Sequence, residues 1–222
     1  MSVYHRLVRI STLLTWTALA GASWAAGTSF ESELAAIQHE WEVANYQVIG
    51  EQQRKAAFAT LVEHAARFSA AYPERAEAAA WEGIVLSTYA GEVSAMSAMK
   101  YAKAARAALT RAERMDADTL NGGVYASLGA LYFKVPGGML GFGDDAVAEE
   151  YFTKALAVDP DNIDSNYFYG EFLLDQERFA EALSVLNRAL GAPVAATRPI
   201  FDAGRRAEIR ALIAIAQRET GV

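Results

Sequence analysis

Apolar residues recur along the chain at the three- and four-residue spacing of an amphipathic helix from Phe30 onward. Almost no segment alternates apolar and polar residues with the period of two that is typical of strands. Proline, glycine and aspartate clusters interrupt the helical pattern at short intervals. The pattern predicts an all-α fold of four helix pairs and one final helix. The predicted helices cover 30–49, 51–71, 74–90, 95–115, 121–134, 144–158, 163–175, 178–190 and 201–219.

The last two helix pairs share a pattern of small residues, with a proline after the second helix. The residues are Gly170, Ala182, Ala189 and Pro193 in the last pair, and Leu128, Gly129, Tyr132, Ala148, Phe152, Ala155 and Pro160 in the pair before it. The pattern resembles the 34-residue tetratricopeptide repeat and is faint before residue 115. The resemblance implies a right-handed α-solenoid of such helix pairs, in which the C-terminal helix is a cap.

A glycine-rich insertion separates the two helices of the third pair. From Gly129 to Ala148 is 19 residues, against 12 from Gly170 to Ala182, and the extra residues fall within 135–143. Lengthening a surface loop raises the entropic cost of closing it only slightly, so the fold tolerates such an insertion.

The insertion contains three large apolar side chains, Met139, Leu140 and Phe142. We expect all three to pack against other residues of the chain or against a bound molecule. Burying each would contribute roughly 1.5–3 kcal/mol. They either fold back onto the solenoid as a small satellite core, or they line or cover a binding site for a ligand or a partner.

A second candidate surface lies on the first helices of the pairs, which line the concave face in the tetratricopeptide family. Tyr167 and Glu171 share one helical stripe, and Phe133 lies on the neighbouring one. These residues are candidates for binding, although an aromatic stripe is more often core. Lys134, at the mouth of the loop, is either a carboxylate anchor or a solvated lysine at a helix end.

Four segments between residues 124 and 212 show a more specific resemblance, to one group of tetratricopeptide proteins. They are 129–138, 141–145, 166–173 and 202–210. These segments resemble exported tetratricopeptide proteins associated with TRAP transporters, in which a helical-repeat subunit partners a periplasmic solute-binding protein. The resemblance implies a protein partner of that kind, and the apolar loop adds a small organic ligand. The alternative is a general adaptor for envelope complexes that holds no small molecule.

The first 26 residues have the layout of a secretory signal. A basic start that contains Arg6 and Arg9 precedes a nearly uncharged stretch over 10–21. That stretch is about half of the roughly 20 residues that a membrane-spanning helix needs. We therefore expect residues 1–26 to be cleaved, residues 27–222 to form one domain without a membrane span, and the mature chain to work in the periplasm.

The charge of the mature chain argues against nucleic acid as a partner. Without residues 1–26 the chain keeps 18 basic and 27 acidic side chains, a formal net charge of −9, which repels phosphate backbones. Its one basic cluster, formed by Arg205, Arg206 and Arg210, is expected to be a solvated helix face.

No motif in the sequence predicts catalysis, a metal or a cofactor. The acidic segment 159–164 lacks the glycine and the closing glutamate of an EF-hand, and His39 and His64 have no metal-ligand spacing. No serine sits in a G-x-S-x-G turn. Asp144 is expected to cap the helix that follows it. We therefore expect a binding module and no enzyme.

Overall fold

The structure is a computed structural model that describes residues 29–221, and within that range the chain forms nine α-helices. They are α1 (Phe30–Tyr46), α2 (Glu51–Ala71), α3 (Ala76–Glu92), α4 (Ala95–Met115), α5 (Gly123–Lys134), α6 (Asp145–Val158), α7 (Ile163–Asp175), α8 (Phe179–Gly191) and α9 (Pro199–Thr220). Every predicted helix is present, and each predicted boundary lies within three residues of the observed one. The described residues contain no strand. The predicted signal peptide lies outside them.

Local sequence explains where several helices begin. The Asp144 carboxylate accepts hydrogen bonds from two backbone N–H groups of the first turn of α6, at 3.0 and 3.1 Å, as predicted. Helix α5 begins two residues later than predicted because Leu120 and Asn121 adopt positive φ angles of 59° and 51°. Those left-handed residues cannot continue a right-handed helix, so the turn before α5 is longer than the sequence pattern indicates.

The helices pack as antiparallel pairs whose crossings depend on glycine. A Cβ atom added at Gly170 would lie 2.5 Å from the Leu186 side chain, and one at Gly129 would lie 2.8 Å from the Phe152 ring. Both glycines belong to the small-residue pattern that the sequence shares with the repeat. Gly83 makes the same kind of contact in the α3–α4 pair, where its added Cβ would lie 2.5 Å from Leu109. The repeat therefore extends further toward the N-terminus than the sequence resemblance indicates.

The pairs stack so that their first helices form an inner row. The backbones of α1 and α3, of α3 and α5, and of α5 and α7 approach one another closely, whereas those of the second helices α2, α4, α6 and α8 do not. The second helices meet only through long side chains, such as Arg111 of α4, which donates to Ser69 of α2 over 2.7 Å. Because neighbouring pairs approach each other closely only on the side of their first helices, the stack curves toward that side. The first helices therefore line its concave face, which confirms the predicted α-solenoid architecture.

Helix α9 does more than cap the last pair. It packs on α7 and α8 and also contacts α1. Gly204 of α9 lies against the ring of Tyr46, and the Tyr46 hydroxyl donates a hydrogen bond to Glu208 over 3.1 Å. The last helix therefore crosses the concave face and joins the two ends of the described chain.

The expectation of a solvated basic face on α9 is wrong for two of its three arginines. Arg205 is only 5% exposed, and Arg206 donates to Asp202 and to the backbone carbonyls of Leu190 and Ala192. These arginines turn inward because α9 is enclosed by other helices, where acidic side chains and free carbonyls receive their N–H groups. Arg210 is exposed, as expected.

Candidate functional site

A cavity of about 790 Å³ lies on the concave face, between the inner row of helices and α9. Its walls come from α1, α3, α4, α5, α7 and α9 and from the turns beside them. The larger apolar and aromatic residues of the wall are Trp41, Trp81, Ile84, Met99, Leu131, Phe168 and Phe201. Since α9 covers part of the face that the first helices present, the solenoid partly encloses space that an open superhelix would leave as a groove.

Two buried tryptophans form one end of the cavity wall. Trp41 and Trp81 are 7% and 4% exposed, and their rings meet edge to face at 6.4 Å. The Trp41 indole N–H donates to the Thr88 hydroxyl over 3.0 Å. The Trp81 indole N–H has no acceptor in the described protein. The two rings are therefore alike in position and differ in hydrogen bonding.

Arg198, in the turn before α9, adds a cation to the same end of the cavity. Its Nε donates to Glu42, a carboxylate whose side chain is only 3% exposed. Its guanidinium carbon lies 4.3 Å from the centre of the Phe201 ring and 5.4 Å from that of Trp81. Its Nη2 group has no acceptor in the described protein. Arg198 is therefore neutralised by Glu42 and held against two aromatic rings of the wall.

A second charged cluster surrounds Arg205 in the wall. Its guanidinium lies 2.8 Å from Asp164 and 2.7 Å from Glu208, and it covers the Tyr167 ring at 4.1 Å. Burial raises the pKa of both Tyr46 and Tyr167 well above the ordinary tyrosine range. Both hydroxyls therefore stay protonated at any physiological pH.

The predicted residues of the concave stripe fall beside the cavity. Lys134 lines the cavity and forms an ion pair with Glu171 at 2.5 Å, so the structure brings these two together. Phe133 packs edge-on against Phe172 with ring centres 5.5 Å apart. Tyr167 lies under Arg205. Phe133, Tyr167 and Glu171 therefore support the wall from behind.

The glycine-rich loop over 135–143 meets the cavity through Val135 and Pro136. Its backbone folds back tightly: the Gly143 N–H donates to the Pro136 carbonyl over 3.0 Å, and a Cβ added at Gly143 would lie 1.7 Å from the Val135 carbonyl oxygen. Gly141 is equally confined, since its added Cβ would lie 2.3 Å from the Pro136 oxygen. These glycines permit close backbone contact.

The apolar side chains of the loop divide into two groups. Phe142 packs as expected, edge-on to Tyr132 at 5.5 Å and beneath the Arg106 guanidinium at 4.0 Å. Met139 is fully exposed and Leu140 is 79% exposed, so the expectation that all three pack does not hold within this chain. The tight turn at Gly138, with φ at 66°, lies next to these two residues at the tip of the loop.

The described residues carry no cluster of three or more histidine, cysteine, aspartate or glutamate side chains that could hold a metal ion. In the acidic segment considered for calcium, Asn162 caps α7 by accepting from the Ser165 N–H at 2.9 Å, and Asp164 pairs with Arg205. Across residues 29–221, no helix has both the length and the apolar character to cross a membrane.

The family model of the tetratricopeptide repeat matches residues 140–194, which include all of α6, α7 and α8. A crystal structure of a thermophilic tetratricopeptide repeat protein from Thermus thermophilus is similar over 86% of this chain and 100% of its own, with a TM-score of 0.56 and 15% sequence identity. The fold is that of a tetratricopeptide-repeat solenoid. No curated protein matches the sequence.

The match to the tetratricopeptide repeat covers only part of the cavity. Trp41, Trp81 and Arg198 all lie outside the matched residues 140–194. Sequence reasoning missed these three residues because they lie far apart in the chain and meet only through the curvature of the solenoid. One signal was available: Trp41 and Trp81 are the tryptophans that remain after residue 26.

Proposed function

We propose that this chain is an exported tetratricopeptide-type binding module that encloses a small apolar organic molecule and presents a loop to a protein partner. The observation that carries the proposal is the cavity of about 790 Å³ between the inner helices and α9. Ligand pockets in proteins commonly measure roughly 300–1,000 Å³ and have mostly apolar walls with a few polar groups. Both features are present here.

Physical considerations favour an occupant for this space. The cavity is partly open to solvent, so without an occupant its apolar wall stays in contact with water. Aromatic residues such as Trp41, Trp81 and Phe201 line the wall. An apolar molecule would displace that water and remove its own apolar surface from solvent. A solenoid that served only as a rigid spacer would have no need of such a chamber.

The exposed tip of the loop supports the protein-binding part of the proposal. Met139 and Leu140 extend into solvent from the same loop whose Val135 and Pro136 line the cavity. Exposed apolar side chains of this size commonly mark interaction sites when they lie together. A partner that covers Met139 and Leu140 would sit next to the cavity and could sense or control its contents.

Intrinsic fluorescence gives a direct test of the cavity. Since Trp41 and Trp81 both line it, the intensity of the tryptophan emission of the mature chain should change when an apolar molecule enters. We expect titration with the neutral probe N-phenyl-1-naphthylamine to show one saturable site. A Leu131→Trp variant, which fills part of the cavity, should weaken the site, whereas Val194→Trp, at an exposed position outside it, should not. Unsaturable binding, or equal binding by both variants, would refute the proposal.

The narrower version of the proposal is that the partner is a periplasmic solute-binding protein of a TRAP-type transporter. Support comes from the sequence resemblance between residues 124 and 212 and from the signal-like first 26 residues. The competing version is an adaptor for other envelope complexes.

Capture from periplasmic extract tests this partner. We expect the mature chain to retain a solute-binding protein, identified by mass spectrometry, and the double variant Met139→Ser with Leu140→Ser to lose it. Ile49→Ser is the matched control, because Ile49 is also apolar and is 92% exposed in a different turn. Retention of unrelated envelope proteins by all three chains would support the adaptor instead.

A further inference from the structure

Helix α4 has an exposed face of positive charge, and we propose that this face docks on a membrane surface that carries anionic phospholipids. The inference goes beyond the proposed function, because it does not depend on what the cavity or the glycine-rich loop binds. It rests on where the structure places positive charge in an otherwise acidic chain.

Positive charge is concentrated in α4. This helix has five basic residues and one acidic residue, whereas the rest of the described chain has 13 basic and 26 acidic residues. The five are Lys100, Lys103, Arg106, Arg111 and Arg114. They form no run in the sequence, since at least two other residues separate each from the next. Helix α4 is therefore the basic element of an acidic protein.

The helix turns these five side chains to one side, which we call the basic face. At 3.6 residues per turn they fall within about 140° of the helix circumference and along roughly 21 Å of its length. All are exposed except Arg106, which is half-buried over the Phe142 ring. The buried residues of α4 lie on the opposite side of the helix; they are Ala102, Ala105, Ala108, Leu109 and Ala112. The basic face therefore points away from the core.

The basic face is short of counter-charge. Arg111 pairs with Glu82 at 2.7 Å, whereas the other four cations of the face have no acidic partner within 4 Å among the described residues. They are four of the eight basic residues there that lack one; the other ten are paired. Unpaired charge of one sign on one surface attracts a partner of the opposite sign.

The negative net charge of the chain does not cancel this attraction. Exposed charges more than about 8–10 Å apart are largely screened at physiological salt, so a docking surface responds mainly to the charges nearest to it. Two acidic side chains close to the basic face already have partners: Glu82 binds Arg111, and Glu113 lies 3.5 Å from the Tyr151 hydroxyl. The acidic remainder of the molecule would turn α4 toward an anionic surface.

The features of the basic face fit a lipid surface better than an acidic protein. Lysine is depleted at protein interfaces, and a protein would have to place a carboxylate opposite each cation. A lipid surface is fluid and presents phosphates to every cation of a straight helix at once. Met96, in the first turn of α4, is 94% exposed and falls on the same side of the helix. Its side chain can enter the boundary between headgroups and acyl chains.

Sedimentation with phospholipid vesicles tests the inference. The mature chain is used, because the apolar stretch of the first 26 residues could itself bind lipid. We expect it to sediment with vesicles of one part phosphatidylglycerol to three parts phosphatidylcholine, and not with phosphatidylcholine alone. Salt at about 0.5 M should release it by screening. Lys100→Gln with Lys103→Gln should weaken binding by about 10- to 30-fold, since each cation near an anionic membrane contributes about fivefold.

Arg188→Gln with Arg218→Gln is the matched control, because it removes two exposed, unpaired cations from α8 and α9. It should leave vesicle binding within about twofold, and circular dichroism should show that all variants are folded. The inference is overturned if the mature chain does not sediment with the phosphatidylglycerol vesicles. It is also overturned if the control weakens binding as much as the lysine variant does.

Poly-L-glutamate, a soluble polyanion, distinguishes an acidic protein from a membrane as the partner. Met96→Ser should weaken binding to the vesicles by about threefold to tenfold and leave binding to the polymer unchanged, because only lipid offers an apolar layer. A chain that binds the polymer through Lys100 and Lys103 and does not bind the vesicles docks on an acidic protein, which overturns the inference.

Discussion

Arg205 carries a positive charge inside the molecule, and its neighbours explain how the charge is tolerated. Asp164 and Glu208 supply opposite charge at 2.8 and 2.7 Å, and the Tyr167 ring offers its face to the guanidinium. Burial of a charge is costly unless such partners are present. The arginine therefore ties α9 to α7, which forms part of the cavity wall.

Replacing Arg205 with methionine should lower the free energy of unfolding by roughly 2–4 kcal/mol, because two carboxylates lose their cation. The range is below that for a fully buried pair, since Asp164 and Glu208 are 33% and 37% exposed and water screens them. Arg210→Met, on the exposed side of the same helix, should change the stability by less than about 0.5 kcal/mol. Urea unfolding followed by circular dichroism measures both. Similar values for the two variants would show that the buried cluster contributes little.

At the scale of the helix, glycines decide how closely each pair can pack. Gly83, Gly129 and Gly170 occupy the crossing points of three successive pairs. Two of them were recognisable from the repeat pattern, since small residues recur around them at the expected spacing. Gly83 was missed because the alanine-rich sequence of α3 and α4 offers small residues at nearly every position, so the spacing carries no information there.

Gly83→Ala should destabilise the chain by about 1–3 kcal/mol, because the new methyl group would overlap Leu109 and approach the Ala105 carbonyl in a packed core. Gly91→Ala, in the same helix, has open space around the new atom and should stabilise the chain by up to about 1 kcal/mol through helix propensity. Thermal unfolding of both variants checks the opposite signs. A neutral Gly83→Ala would mean that the α3–α4 crossing adapts easily.

At the scale of the whole molecule, the contact between α1 and α9 distinguishes this solenoid from an open stack. In a repeat array each unit contacts only its neighbours, so the two ends are independent. Here Tyr46 of α1 packs on Gly204 of α9 and bonds to Glu208. The two ends should therefore open together.

Gly204→Val tests this coupling, because its side chain would displace the Tyr46 ring that lies 2.4 Å from an added Cβ. We expect faster amide hydrogen exchange in α1 as well as in α9, although the two helices are far apart in sequence. Ala203→Val, at the adjacent exposed position, should leave exchange in α1 unchanged. Faster exchange confined to α9 would show that the ends are not coupled.

Helix number, helix boundaries and the two repeat glycines followed from local sequence, because hydrophobic period, capping residues and turn residues act over a few positions. The presence of the cavity could not be predicted from local sequence. Trp41 of α1, Trp81 of α3 and Arg198 before α9 are far apart in sequence and meet only where the solenoid curves and α9 crosses it. The inward placement of Arg205 and the exposure of Met139 were likewise decided by tertiary packing, since charge and hydrophobicity alone indicate the opposite for each. Local pattern thus determined the elements of this protein, and the curvature of their stack determined what they enclose.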